Sequence, residues 1–172
     1  MPVLAQETTA PELPTTLGTV YYYPMVPPES KSILAPLAQE LAEIKTSSKA
    51  FIGTKTYAEL KGSKSAVQVP VGETKEFFVR GVDPTRFKLY RFAVKKNQRQ
   101  VPIYDAGAFH GKIVTHESEV PIVVVELGNS SYKLVPVSPL AEGEYSFSPT
   151  DSNTAFTFGV MASEKELVED LN

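Results

Sequence analysis

Only two histidines occur in the chain, His110 and His116, and they fall in one stretch with Asp105, Glu117 and Glu119. Two imidazoles and a carboxylate with an open position form the constellation of hydrolytic zinc and facial-triad iron sites. On alternating positions the two histidines would share one side of an extended strand, but Gly111 interrupts it. A polar loop whose imidazoles make ordinary hydrogen bonds is preferred, and a metal-dependent hydrolase using His110 and His116 stands as the alternative.

Other chemistry-bearing patterns fall short of their motifs. Gly107-Ala108-Phe109-His110-Gly111-Lys112 has one residue too few between its glycines for a phosphate loop, and Ile113 stands where Ser or Thr is needed. There is no dinucleotide fingerprint and no Gly-x-Ser-x-Gly elbow. Glu142 and Glu144 flank Gly143 in a turn, whereas glycosidase chemistry needs two acids across a cleft. Arg91, Lys95, Lys96 and Arg99 form a basic cluster suited to anionic polymer or lipid headgroups, yet a charged hairpin tip that keeps a sheet edge soluble explains it better. Tyr21, Tyr22 and Tyr23 suggest a sugar-stacking face, but Tyr22 must point away from its neighbours in a strand. No residue is therefore assigned a catalytic, cofactor-binding or metal-ligating role, and no cofactor is expected.

The elements that must carry these residues belong to one domain. A chain of 172 residues can bury a sizeable core by itself. Its net charge of −3 supplies no global attraction to phosphate, so nucleic acid is not an expected partner. No apolar run approaches the ~20 residues that cross a bilayer as a helix. The absence of cysteine removes disulfides, thiolate nucleophiles and cysteine-ligated zinc together. Val3-Leu4-Ala5 before Gln6 fits the end of an export signal whose basic and apolar start is missing, and an ordinary flexible start fits equally.

Residues 1–16, rich in Thr, Pro and Glu, read as a flexible leader or linker. The domain spans residues 17–161, beginning with a strand over residues 18–23. Between residues 33 and 45, Leu37, Leu41 and Ile44 recur at helical spacing while Leu37, Gln39, Leu41 and Glu43 also alternate, leaving helix and strand open. Gly53, Gly62 and Gly72 suggest the hairpins of a meander. Residues 87–94 make a strong strand whose alternation breaks, through a bulge or because both faces are covered. Residues 95–99 read as a polar turn, and Pro102 places the next strand at an edge. Gly128-Asn129-Ser130 turns one hairpin, and residues 144–147 and 156–160 form the closing pair. Phe78, Leu89, Phe92, Val124, Leu134, Tyr145 and Phe158 are expected in the core. Residues 162–172 form a tail in which Ser163 and Glu166 stand at capping-box spacing for a short helix.

The run Leu60-Lys61-Gly62-Ser63-Lys64-Ser65-Ala66, then Glu76-Phe77-Phe78-Val79-Arg80, then residues 89–99 and Leu140-Ala141-Glu142-Gly143-Glu144-Tyr145 before a closing aromatic strand, resembles uncharacterised β-rich domains of exported bacterial proteins. The resemblance runs from Gly18 to Val160. It implies a periplasmic or secreted domain, strand rather than helix over residues 33–41, and no site to carry over. The expected fold is all-β, an antiparallel sandwich or partly open barrel. The expected function is that of a non-enzymatic binding or structural module of the cell envelope, its partner an envelope protein or glycan, with a carbohydrate-binding module as a further alternative.

Overall fold

The computed structural model describes residues 13–24, 33–50, 53–72, 75–106 and 111–162. In chain order the strands are β1 (Tyr21–Tyr22), β2 (Ala35–Pro36), β3 (Ala38–Leu41), β4 (Glu43–Lys49), β5 (Gly53–Lys61), β6 (Gln68–Pro70), β7 (Phe77–Arg80) and β8 (Phe87–Arg91). They continue with β9 (Ala93–Lys95), β10 (Gln98–Ala106), β11 (Gly111–Ile113), β12 (Glu119–Val120), β13 (Ile122–Gly128), β14 (Ser131–Pro136), β15 (Gly143–Pro149) and β16 (Thr154–Met161). Among the described residues the only helical pieces are two 3-10 turns, Pro84–Arg86 and Thr115–Ser118. The tail helix and the export-signal residues lie outside the described residues. No helix among the described residues is long and apolar enough to cross a membrane.

The chain is all-β, with three sheets, none closed. Sheet A runs β13-β14-β7-β1-β2, and sheet B runs β12-β8-β15-β16-β3 with β6 against β16. Sheet C runs β11-β10-β5-β4 with β9 on β10. All pairings are antiparallel except that of β6 with β16.

Sheets A and B share the main core. Phe77, Val79 and Leu134 from sheet A meet Leu89, Phe147, Phe156 and Phe158 from sheet B. The Phe77 ring lies 4.8 Å from Phe147 and 4.7 Å from Phe158, centroid to centroid. Such tilted aromatic contacts add about 0.5–1.5 kcal/mol each beyond their buried area. Six of the seven expected core residues are buried. Val124 is not: it stays 38% exposed because β13 is the last strand of sheet A, with neighbours on one side only.

The ambiguous stretch over residues 33–45 is strand, forming β2, β3 and the start of β4. Pairing with β16 and β5 supplies backbone partners that an isolated propensity does not see. The broken alternation over residues 87–94 has a different cause from a bulge. Strand β8 ends at Arg91 in sheet B, Phe92 stands between strands, and β9 begins sheet C. The chain changes sheets at Phe92, whose N–H donates to the Glu144 carbonyl, and again at Ala42, whose N–H donates to that of Asn153. A second small core of Leu60, Phe92, Val101 and Ala155 fills the junction.

Several local expectations are corrected. Gly62 and Gly72 do not close hairpins, since β5 leads across to β6 in another sheet. Pro102 lies inside sheet C and not at its edge: it is paired to Tyr57 of β5, and on the other side of β10 the pairing with β9 reaches Gln100 and the pairing with β11 reaches Tyr104, so Pro102 falls between the two flanking strands. Arg99 belongs to β10 and is buried, not part of a solvated turn. The first strand is only Tyr21–Tyr22. At the end of the leader, Pro14 is buried and the Tyr21 hydroxyl bonds Thr15 Oγ1 and the Thr16 N–H. The β13–β14 hairpin turns through Asn129 and Ser130, both at positive φ (51° and 54°), as a tight two-residue connection requires.

Candidate functional site

Cross-strand partners in a sheet share a face, so register decides which side chains assemble. In sheet C, Ser47 stands opposite Lys55, Tyr57 opposite Pro102, Glu59 opposite Gln100, and Gln98 opposite Lys95. Regular alternation would send Asp105 to the other side from Pro102. A bulge between Pro102 and Tyr104 shifts the phase, bringing Asp105 opposite Lys55 and Lys112 opposite Asp105. One polar face thus runs across four strands, a width of about 14 Å at the usual strand spacing.

That face forms an open groove of about 880 Å³ whose floor includes Tyr57, Gln100 and Pro102. Five lysines line it, Lys49, Lys55, Lys95, Lys96 and Lys112, against two carboxylates, Asp105 and Glu117. Lys55 lies 3.7 Å from Asp105 and Lys112 lies 3.0 Å from Glu117. The Lys112 ammonium, by hydrogen bond and then by charge, holds the Glu117 carboxyl below its ordinary range. Lys49, Lys95 and Lys96 have no carboxylate within 4.0 Å among the described residues. The groove is therefore positive on a chain whose net charge is −3.

The same face turns neutral toward sheet B. Glu59 is buried and accepts from Gln98 Nε2 at 2.8 Å and Gln100 Nε2 at 2.9 Å, which fixes both amides. Glu43 pairs with Lys45 at 2.5 Å and lies 3.9 Å from Lys61.

On the opposite face Arg99 anchors sheet C to sheet B. Its guanidinium donates to both Glu40 carboxylate oxygens at 2.9 and 2.7 Å, and to the Lys61 and Gly62 carbonyls at 2.8 and 3.0 Å. Glu40 also accepts from Thr157 Oγ1, which meets Ser65 Oγ at 2.8 Å. The Ser65 N–H and the Gln68 amide both donate to Glu144. A Cβ at Gly159 would lie 2.2 Å from Gln68 Nε2 and 2.4 Å from Glu144 Oε1, so glycine leaves room for this network. Each member is hydrogen-bonded by others of the network, which rigidifies the junction between sheets B and C.

The residues singled out from sequence are dispersed. His116 is exposed on the Thr115–Ser118 turn, while His110, with residues 107–110, lies outside the described residues. Glu119 pairs with Lys88 at 2.9 Å, and no metal-binding group of three ligating side chains is found among the described residues. Glu144 is buried while Glu142 is exposed, so they do not act as a pair. Arg91 lies over the Tyr145 ring and donates to the Glu142 carbonyl, leaving Lys95 and Lys96 alone of the basic cluster in the groove. Tyr21 is buried and Tyr23 packs edge-on against Phe78, so the tyrosine run builds core. Missed from sequence were Lys49, Lys55 and Tyr57, while Lys112 was weighed only within an incomplete phosphate-loop pattern. The signal for the first three was there, because Ser47 and Lys49, then Lys55 and Tyr57, alternate through a hairpin. Comparison of the chain with protein-family models, with curated proteins and with solved structures finds no match.

Proposed function

We propose that this chain is a non-enzymatic β-sandwich module, exported to the bacterial periplasm or beyond, that binds an acidic polysaccharide of the cell envelope along the lysine face of sheet C. The observation that carries this is the open groove in which Lys49, Lys95 and Lys96 have no acidic partner among the described residues while Tyr57 lies in the floor. Exposed ammonium groups attract carboxylates at modest strength each, so a polymer that touches several at once suits them better than a small anion does. A tyrosine ring offers a sugar an apolar surface. Sheets A and B, facing each other across the aromatic core, form the sandwich, and sheet C extends from it as the binding face.

Affinity electrophoresis in gels containing polygalacturonate, with dextran as the neutral control, tests this. Retardation by polygalacturonate alone, fading as salt rises, is expected. The triple variant Lys49→Ala, Lys95→Ala, Lys96→Ala is expected to bind about tenfold more weakly or worse. Equal retardation by dextran, no retardation, or an unaffected triple variant overturns the proposal.

A further inference from the structure

We propose that β13 is a self-association edge, through which two copies of the chain pair antiparallel and join their A sheets into one. Strand β13 ends sheet A, and among the described residues it pairs with β14 alone. Its outer row of backbone N–H and C=O groups thus has no strand partner among the described residues. Val123, Val124 and Val125 are 51%, 38% and 40% exposed, so side chains on both faces of the strand are uncovered.

The other sheet ends are protected. Strands β2 and β12 are two residues long, and β11 is three residues long and carries Lys112. Strand β4 carries Glu43, Lys45 and Lys49 along its exposed length. Strand β3 carries Glu40, committed to Arg99. Among the described sheet-end strands, β13 alone combines length with an apolar centre, Val123-Val124-Val125, whereas the centre of β4 is the polar Thr46-Ser47-Ser48; proline and a register shift stand only at the two ends of the apolar run.

A second copy is the occupant that the strand itself selects. Regular pairing in β13 is bounded by Pro121 before it and by the register shift after Glu126, leaving Ile122, Val123, Val124, Val125 and Glu126. The midpoint is Val124. A two-fold axis there sets Val124 against its own copy, Val123 against Val125, and Ile122 against Glu126. No like charges meet, and β-branched side chains pair across the junction, as antiparallel strands favour. An uncharged centre gives a foreign strand no electrostatic handle, whereas a two-fold pairing uses the same patch twice and closes at a dimer. These residues are separate from the lysine groove, so this proposal stands or falls independently of the polysaccharide reading.

Sedimentation velocity over a concentration series, together with Val124→Cys, provides the test. A monomer–dimer equilibrium is expected, and Val124→Lys is expected to shift it to monomer by setting two ammonium groups against each other. Directly opposed residues have Cα atoms about 4.5–5.5 Å apart, within disulfide reach. The chain has no cysteine of its own, so mild oxidation of Val124→Cys should give one cross-linked dimer. Val94→Cys, on an exposed position of β9, serves as the control and should remain uncrosslinked. Monomer at every concentration without cross-linking of Val124→Cys, a dimer unaffected by Val124→Lys, or equal cross-linking of both cysteine variants overturns the proposal. If Val124→Lys fails to fold, the contrast between the two cysteine variants decides alone.

Discussion

Replacing Arg99 by Met should be among the most damaging single changes outside the aromatic core. The side chain is 1% exposed, lies 5.9 Å from the Phe92 ring, and makes four hydrogen bonds, two of them to the Glu40 carboxylate. Methionine retains most of the packing volume and removes every donor. Breaking a buried ion pair from one side costs about 3–5 kcal/mol, because the remaining charge loses its partner. The Glu40 side chain is 28% exposed and can recover some hydration, which places the expected loss near the lower end, about 3 kcal/mol. Urea unfolding followed by far-UV circular dichroism should show the midpoint fall by about 1–2 M at unchanged slope. The double variant Arg99→Met, Glu40→Met should lose less than the sum of the two single losses, with a coupling of about 1–3 kcal/mol. A loss below about 1 kcal/mol for Arg99→Met, or strict additivity in the double variant, would refute the view that this pair anchors sheet C to sheet B.

Two further outcomes follow from packing and from burial. Phe92→Ala should cost about 3–5 kcal/mol in the same unfolding assay, since the ring is 8% exposed among Leu60, Val101 and Ala155; a loss below about 1 kcal/mol would place it at the surface. Burial raises the phenols of Tyr22, Tyr90 and Tyr145, whereas the hydroxyl bonds of Tyr21 with Thr15 and then Thr16 lower that one. A raised phenol is neutral in the folded state at a pH where the unfolded chain has begun to ionise, so its stabilising effect is complete below about pH 10 and is lost above it. Near-UV absorbance should resolve a late-ionising class of tyrosines, and the thermal midpoint should fall through the same alkaline range. Uniform titration of all eight tyrosines near pH 10 would contradict this.

The sequence by itself determined that the chain is all-β and where much of its core lies. Short runs of β-branched and aromatic residues, separated by glycine, asparagine and proline, report local preference, and local preference needs no knowledge of partners. Tight hairpins such as Asn129-Ser130 were legible for the same reason, as was the burial of Phe78, Leu89 and Phe158. What lay beyond local preference went the other way. Arg99 looks like one more solvated cation in a basic run, and only the approach of Glu40, far away in the chain, turns it into an internal anchor. Val124 looks like core because its run is apolar, and only its place at the end of sheet A leaves it exposed. The lysine groove depends on a single bulge after Pro102 and on the register of four strands drawn from two separate stretches of sequence. A shift of one residue in any of them would send its lysines to the opposite face, because side chains in a strand alternate with period two. Register and sheet order are set by contacts between distant segments, and the tertiary structure alone decides them.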